Sequence, residues 1–142
     1  MLQSRFLMLD RDGVINKERP DDYVKSVEEF IFEPGAPEAL KSLAGIFDRL
    51  IVVTNQRGVG SGVMTQQDLD DVHAYMTAGL KNYGVTLAGI YYATDKDRNS
   101  IHRKPRPYMG HQAKQDIPEI DFRKSVMVGN SRGDIEFGKS LG

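Results

Sequence analysis

Four short apolar runs constrain this chain more than any other feature: Phe6-Leu7-Met8-Leu9, Leu50-Ile51-Val52-Val53, Ile90-Tyr91-Tyr92-Ala93 and Val126-Met127-Val128. None alternates with polar residues. Each stops abruptly at polar or glycine-containing sequence, at Asp10, Thr54-Asn55, Thr94-Asp95 and Gly129-Asn130 in turn. A strand with one wet face alternates, whereas a strand covered on both faces reads as an unbroken apolar run, the pattern of a parallel sheet.

Helical periodicity fills the intervals. Pro34-Gly35-Ala36-Pro37 opens a segment that puts Ala39, Leu40 and Leu43 on one face, with Pro37 in a first turn that does not need its N–H. Thr65 predicts an N-cap, with Asp68 three residues on as its capping-box partner. Leu69, Val72, Met76, Leu80 and Tyr83 then recur at spacings of three and four, and Gly84 ends the helix. Pro107 to Gln115 and Asp134 to Leu141 predict two more helices.

Strands alternating with helices predict an α/β fold with a mainly parallel central sheet, in which ligands sit beyond the carboxyl ends of the strands. The stretch from Asp12 to Phe32 is too long for an ordinary strand-to-helix loop and is expected to carry its own small structure over the site. The 142 residues suit one domain spanning positions 1–142. A further strand is expected after Leu141-Gly142; the sequence leaves open whether the sheet has it.

With no cysteine, disulfides, thiolate zinc sites and a cysteine nucleophile are excluded. No run approaches the roughly 20 apolar residues of a membrane helix. Met1-Leu2-Gln3-Ser4-Arg5 has no cleavable signal pattern, so the expected compartment is the cytoplasm, with no membrane partner. A net charge of −1 and the lack of an aromatic-basic stripe argue against a nucleic-acid partner.

The chemistry is concentrated at the strand ends. Asp10 and Asp12 are two apart after the first run, so an extended backbone aims both to one side. Carboxylates this close repel and call for a cation, and a hard divalent ion such as Mg²⁺ takes oxygen ligands. Alone, the segment also reads as an Asp-rich turn. Thr54, with Asn55 and Gln56, offers a hydroxyl and backbone N–H groups to a phosphate oxygen, or simply caps the strand. Lys104 balances the carboxylates and an incoming phosphate, and Arg103 can fork onto a second anionic or hydroxyl group, although a Lys-Arg pair in a loop is also an ordinary solvated surface. Asn130 and Asp134 offer a neutral and an anionic oxygen, or form a helix N-cap and its acidic first turn. Tyr23, in the long loop, is a substrate-contact candidate. His73 is expected to pack in the core and His111 to lie on a helix surface.

Together, in this order, these segments resemble the haloacid dehalogenase (HAD) superfamily. The resemblance runs through Leu9-Asp10-Arg11-Asp12-Gly13-Val14-Ile15-Asn16, Asp22-Tyr23-Val24, Phe30-Ile31-Phe32-Glu33-Pro34-Gly35, Val53-Thr54-Asn55-Gln56-Arg57-Gly58, Gly89-Ile90-Tyr91-Tyr92 and Arg103-Lys104-Pro105. It is closest to the branch of heptose bisphosphate and histidinol-phosphate phosphatases. The resemblance implies a three-layer Rossmann-like fold without a large cap domain, and Mg²⁺-dependent hydrolysis of a small phosphorylated metabolite. Asp10 is then the nucleophile, Asp12 the general acid and base, and Thr54 and Lys104 hold the phosphoryl group. Asn55, Gln56, Arg103 and Tyr23 bind substrate, and the metal sits at Asp10, Asp12 and Asn130, with Asp134 in support.

Two departures stand out. Asn130 replaces the usual Asp, removing a negative charge and weakening metal binding. Thr94 to His102 lacks the cysteines of the branch's zinc loop, so a shortened loop without structural zinc is expected. A catalytically weakened module that binds a phosphorylated ligand is the alternative reading. A monomer or small homo-oligomer is expected.

Overall fold

The computed structural model describes residues 5–142. Its sheet has four parallel strands: β1 (Phe6–Leu9), β2 (Arg49–Asn55), β3 (Leu87–Ala93) and β4 (Val126–Val128), in the order β3-β2-β1-β4. Crossing between parallel neighbours requires a connection long enough for a helix, and helices fill that role here. They are α1 (Ala36–Ala44), α2 (Arg57–Gly60), α3 (Gln66–Lys81), α4 (Tyr108–Asp116) and α5 (Arg132–Leu141).

The unbroken apolar runs are explained by two cores, one on each face of the sheet. Leu7, Leu9, Leu50 and Val52 meet Leu40 of α1 and Val72, Met76 and Leu80 of α3. Phe6, Met8, Ile51 and Val53 meet Met109 and Ala113 of α4 and Phe137 of α5. β1 and the apolar part of β2 keep their period of two with both faces dry. The expectation fails at β4, an edge strand of the described sheet, where Val126 is 45 % and Val128 37 % exposed, and at Tyr92 of β3, which is also exposed.

Two details differ from the sequence reading. Ala39 is exposed, whereas Leu40 is buried and Leu43 half-buried against the core as expected, with Pro37 buried beside them. Tyr83 is 41 % exposed and lies past the end of α3, because the chain leaves the helix at Asn82 and turns through Gly84 at φ +80°. At the other end of α3 the capping box is complete: Asp68 N–H donates to Thr65 Oγ1 (3.0 Å), and Thr65 N–H donates to Asp68 Oδ2 (2.8 Å). The segment from Asp12 to Phe32 has the structure of its own that its length demands, a 3-10 turn at Val27–Glu29 and bridges joining Asn16 to Asp12 and to Phe32. No helix among the described residues is long and apolar enough to cross a membrane.

Candidate active site

At the carboxyl end of β1 the Asp10 N–H still donates to Val128 O of the neighbouring strand (2.9 Å), so the last rung of the ladder fixes this residue. Asp10 Oδ1 accepts from the Arg11 N–H (2.8 Å) and from Lys104 Nζ (3.0 Å). Gly13, at φ +84°, then turns the chain sharply; a Cβ there would lie 2.0 Å from Asn130 Nδ2. Only a glycine permits that backbone and that approach together.

Lys104 is buried, and all three hydrogens of its ammonium group are used. They go to Asp10 Oδ1, to Asp134 Oδ1 (2.5 Å) and to Val53 O (2.8 Å). Its main chain is held as firmly: its N–H donates to Asn55 Oδ1 (3.0 Å), and Asn55 Nδ2 donates to its carbonyl (3.3 Å). Asn55 therefore clamps the lysine loop as well as lining the cavity. Burial pushes the Asp10 carboxyl up, Lys104 pulls it back and Asp134 pushes it up again, leaving it at about 6.

Asp12 is treated differently. Burial pushes its carboxyl up, but the Arg11 guanidinium and hydrogen bonds from Asn16, Arg11 and Gln56 outweigh burial and hold it below the usual carboxylate range. Arg11 Nη2 and Asn16 Nδ2 reach Oδ1 (2.8 and 2.9 Å), and Gln56 Nε2 reaches Oδ2 (2.9 Å). Gln56 Nε2 also donates to Thr54 Oγ1 (3.0 Å). Two neighbouring carboxylates thus have opposite environments, a common device for separating catalytic roles.

A cavity of about 250 Å³ gathers most of the sequence-predicted residues: Asp10, Asp12, Tyr23, Asn55, Gln56, Arg103, Lys104, Asn130 and Asp134. Thr54 is not among its lining residues; it is 1 % exposed, beneath Gln56. Asp134 reaches the cavity with both oxygens engaged, Oδ1 by Lys104 and Oδ2 by the Ser131 N–H (3.2 Å) and hydroxyl (2.9 Å). It anchors the lysine. Glu18, Arg19 and Asp22 complete one wall; Asp22 belongs to a segment that carries the resemblance, whereas Glu18 and Arg19 carry no sequence signal of their own. His111 is exposed as expected; His73 is buried but is bonded to Arg11. The Thr94–His102 loop closes on Asp95, which accepts from Ser100 Oγ (2.5 Å) beside His102 Nδ1 (2.7 Å).

Among the described residues none donates to Asp10 Oδ2, the Asp12 carbonyl or Asn130 Oδ1. These three are oxygens of the kind a hard divalent cation takes, so the chemistry of the residues fits Mg²⁺. Asn130 Nδ2, the amide atom nearest the Gly13 turn, donates to Glu18 Oε2 (3.2 Å).

A parallel sheet with one buried, lysine-paired carboxylate and a second, separately tuned carboxylate at its mouth defines a HAD-type phosphatase, a phosphoric monoester hydrolase. The polynucleotide kinase 3 phosphatase family matches residues 5–140, and the chain belongs to that family. It is 35 % identical over 136 residues to the D-glycero-alpha-D-manno-heptose-1,7-bisphosphate 7-phosphatase of Mycobacterium bovis, covering 95 % of this chain and 72 % of that one. It is 39 % identical over 145 residues to the D-glycero-beta-D-manno-heptose-1,7-bisphosphate 7-phosphatase of Neisseria meningitidis, covering 97 % of this chain and 73 % of that one. The D,D-heptose 1,7-bisphosphate phosphatase of B. bronchiseptica, solved with magnesium and phosphate, superposes with a TM-score of 0.84 at 29 % identity, covering 97 % of this chain and 76 % of that one.

Proposed function

We propose that this phosphatase removes a phosphoryl group from a small sugar bisphosphate, a heptose 1,7-bisphosphate first, through an aspartyl-phosphate on Asp10. The observation that carries the reading is the pairing of Asp10 with Lys104 in the cavity, where one carboxylate oxygen is held by the ammonium and the other is unbonded. Asp10 Oδ2 attacks phosphorus and the bond to the sugar oxygen breaks. Asp12 hands a proton to that oxygen, then takes one from the water that cleaves the acyl phosphate. An ionised Asp12 suits the second step directly. For the first, the negative charge of an arriving phosphate raises its proton affinity, and a substrate monoanion supplies the proton.

Asp10, the Asp12 carbonyl and Asn130 are the residues that would hold Mg²⁺, which supplies neutralisation of phosphoryl charge. Lys104 acts on the phosphoryl group mainly through its field, since its hydrogens are committed, and Thr54 acts through Gln56. Arg103 and Tyr23 line the cavity, which supports a role for them against the distal part of a substrate.

The test is phosphate release with Mg²⁺ from heptose 1,7-bisphosphate, histidinol phosphate and a 3′-phosphorylated oligonucleotide, each compared with Asp10→Asn. Release from the heptose first, abolished by Asp10→Asn and accompanied by a phosphorylated Asp10 in rapidly quenched protein, supports the reading. Preference for the oligonucleotide or histidinol phosphate replaces the substrate. Near-zero release by both proteins throughout favours the phospholigand-binding alternative, to which the charge missing at Asn130 points.

A further inference from the structure

Arg11 is 0 % exposed although it lies between two residues of the active site. Its Nη2 donates to Asp12 Oδ1 (2.8 Å), its Nη1 lies 3.2 Å from His73 Nε2, and Phe30 faces the guanidinium at 6.0 Å. Its Nε has no hydrogen-bond partner. A buried guanidinium with an orphaned N–H is a poor device for stability, because an apolar side chain of similar volume would fill the space without the desolvation cost. What the arrangement does provide is orientation. A planar fork fixed at one end cannot swing at the other.

His73 is 6 % exposed, is carried on the buried face of α3 and stacks obliquely on Tyr92 at 5.7 Å. A neutral imidazole offers one lone pair, and here it faces Arg11 Nη1, a group that can only donate. From this chain of contacts we infer that His73 is a positioning residue for the reaction: it holds Arg11, and Arg11 holds the Asp12 carboxyl in line with the leaving oxygen. The inference rests on the role given to Asp12 above, and extends it to a side chain that reaches the reacting groups only through Arg11.

The consequence is a leaving-group signature. In kcat/KM, which reports events up to departure of the leaving group, a sugar alkoxide needs the Asp12 proton and p-nitrophenolate does not. His73→Leu is expected to lower kcat/KM for heptose 1,7-bisphosphate about tenfold, a part of the ~10²–10⁴ that a positioned acid or base supplies. The loss for p-nitrophenyl phosphate is expected to be several-fold smaller, with the larger part of the heptose effect in kcat. His73→Gln, whose amide oxygen reaches Arg11, recovers most of the rate, and His73→Asn, which stops short, does not. Should the leucine variant fail to fold, the Gln and Asn pair decides the matter by the same comparison. Equal losses on both substrates, unchanged rates, or Gln and Asn variants that behave alike overturn the inference. Wild-type protein that hydrolyses neither substrate removes the phosphatase reading instead, and the inference with it.

Discussion

Asp134 lies closer to Lys104 (2.5 Å) than does Asp10 (3.0 Å), its other carboxylate partner. The ammonium is buried, and Asp134 is buried with it. Removing one partner of such a pair leaves an uncompensated charge, at a cost of about 3–5 kcal/mol in other proteins. Here Asp10 still neutralises the lysine, so Asp134→Ala is expected to cost about 2–3 kcal/mol in urea unfolding. Activity is expected to fall by more than stability accounts for at saturating Mg²⁺, because the lysine loses its anchor. Full activity in the folded variant would show that Val53 O and Asn55 suffice to place Lys104.

Asn130 and Glu18 form the second testable relationship. Their hydrogen bond engages the amide nitrogen, the atom of Asn130 nearest the Gly13 bend, and leaves its oxygen without a donor among the described residues. Asn130→Asp adds a charge where a cation is expected, and is predicted to tighten the Mg²⁺ midpoint about tenfold, since ligand charge count tunes such sites. The new carboxylate also meets Glu18 at hydrogen-bond distance and repels it, so Asn130→Asp combined with Glu18→Gln is expected to bind Mg²⁺ more tightly still. Isothermal titration of the three proteins checks this without reference to turnover. An unchanged midpoint in all of them means position 130 is not a ligand.

Gly13 combines φ +84° with a side-chain atom 2.0 Å from where a Cβ would stand. Gly13→Ala therefore has to displace Asn130 and take a left-handed backbone conformation that costs about 1–2 kcal/mol. The expected result is a matching drop in stability with a larger proportional loss of Mg²⁺ affinity. A variant with wild-type metal affinity would show that Asn130 can move aside without leaving the site.

The sheet and the location of the site were legible because both depend on local pattern. An apolar run such as Leu50–Val53 is buried on both sides of the sheet, and the residue that ends it lies at the carboxyl end of its strand. The equally apolar run of β4 is partly exposed because it lies at an edge of the described sheet. The cavity accordingly collects Asp10, Asp12, Lys104, Asn130 and Asp134 from segments distant in sequence. What the pattern did not carry was the allocation of partners. Asp134 looked like a free oxygen donor until the fold placed Lys104 on one oxygen and Ser131 on the other. Thr54, expected as a phosphate contact, is buried and its hydroxyl accepts from Gln56. Arg11 sat in plain view between two aspartates, yet its burial depends on α3 supplying His73 across 62 positions of sequence. Only the residue types, not their pairing, are written locally.

The last prediction concerns acid stability. Burial, and then the charge of Arg11, lower the His73 imidazole from 6.5 to about 4, while Asp12 and Asp70 pull it slightly upward. Between those values the unfolded chain binds a proton at this residue and the folded one does not, so stability falls as pH drops from about 6.5 to about 4. At 1.36 kcal/mol per unit, the full effect is on the order of 3 kcal/mol. In metal-free protein Asp10 works in the opposite direction: its carboxyl is raised from 3.8 to about 6, so its contribution is present at low pH and lost as pH rises through 6. Asp12, held low, adds stability that disappears as its carboxylate is protonated. The raw pH profile is thus a sum of opposing slopes, and the informative quantity is the difference between wild type and His73→Leu. Urea midpoints at half-unit intervals from pH 4 to pH 7.5 are expected to converge toward the acid end, because the variant lacks the proton uptake that penalises the wild type there. Parallel curves across the range would mean that His73 titrates alike in the folded and unfolded chains, and that its contact with Arg11 does not depend on a neutral ring.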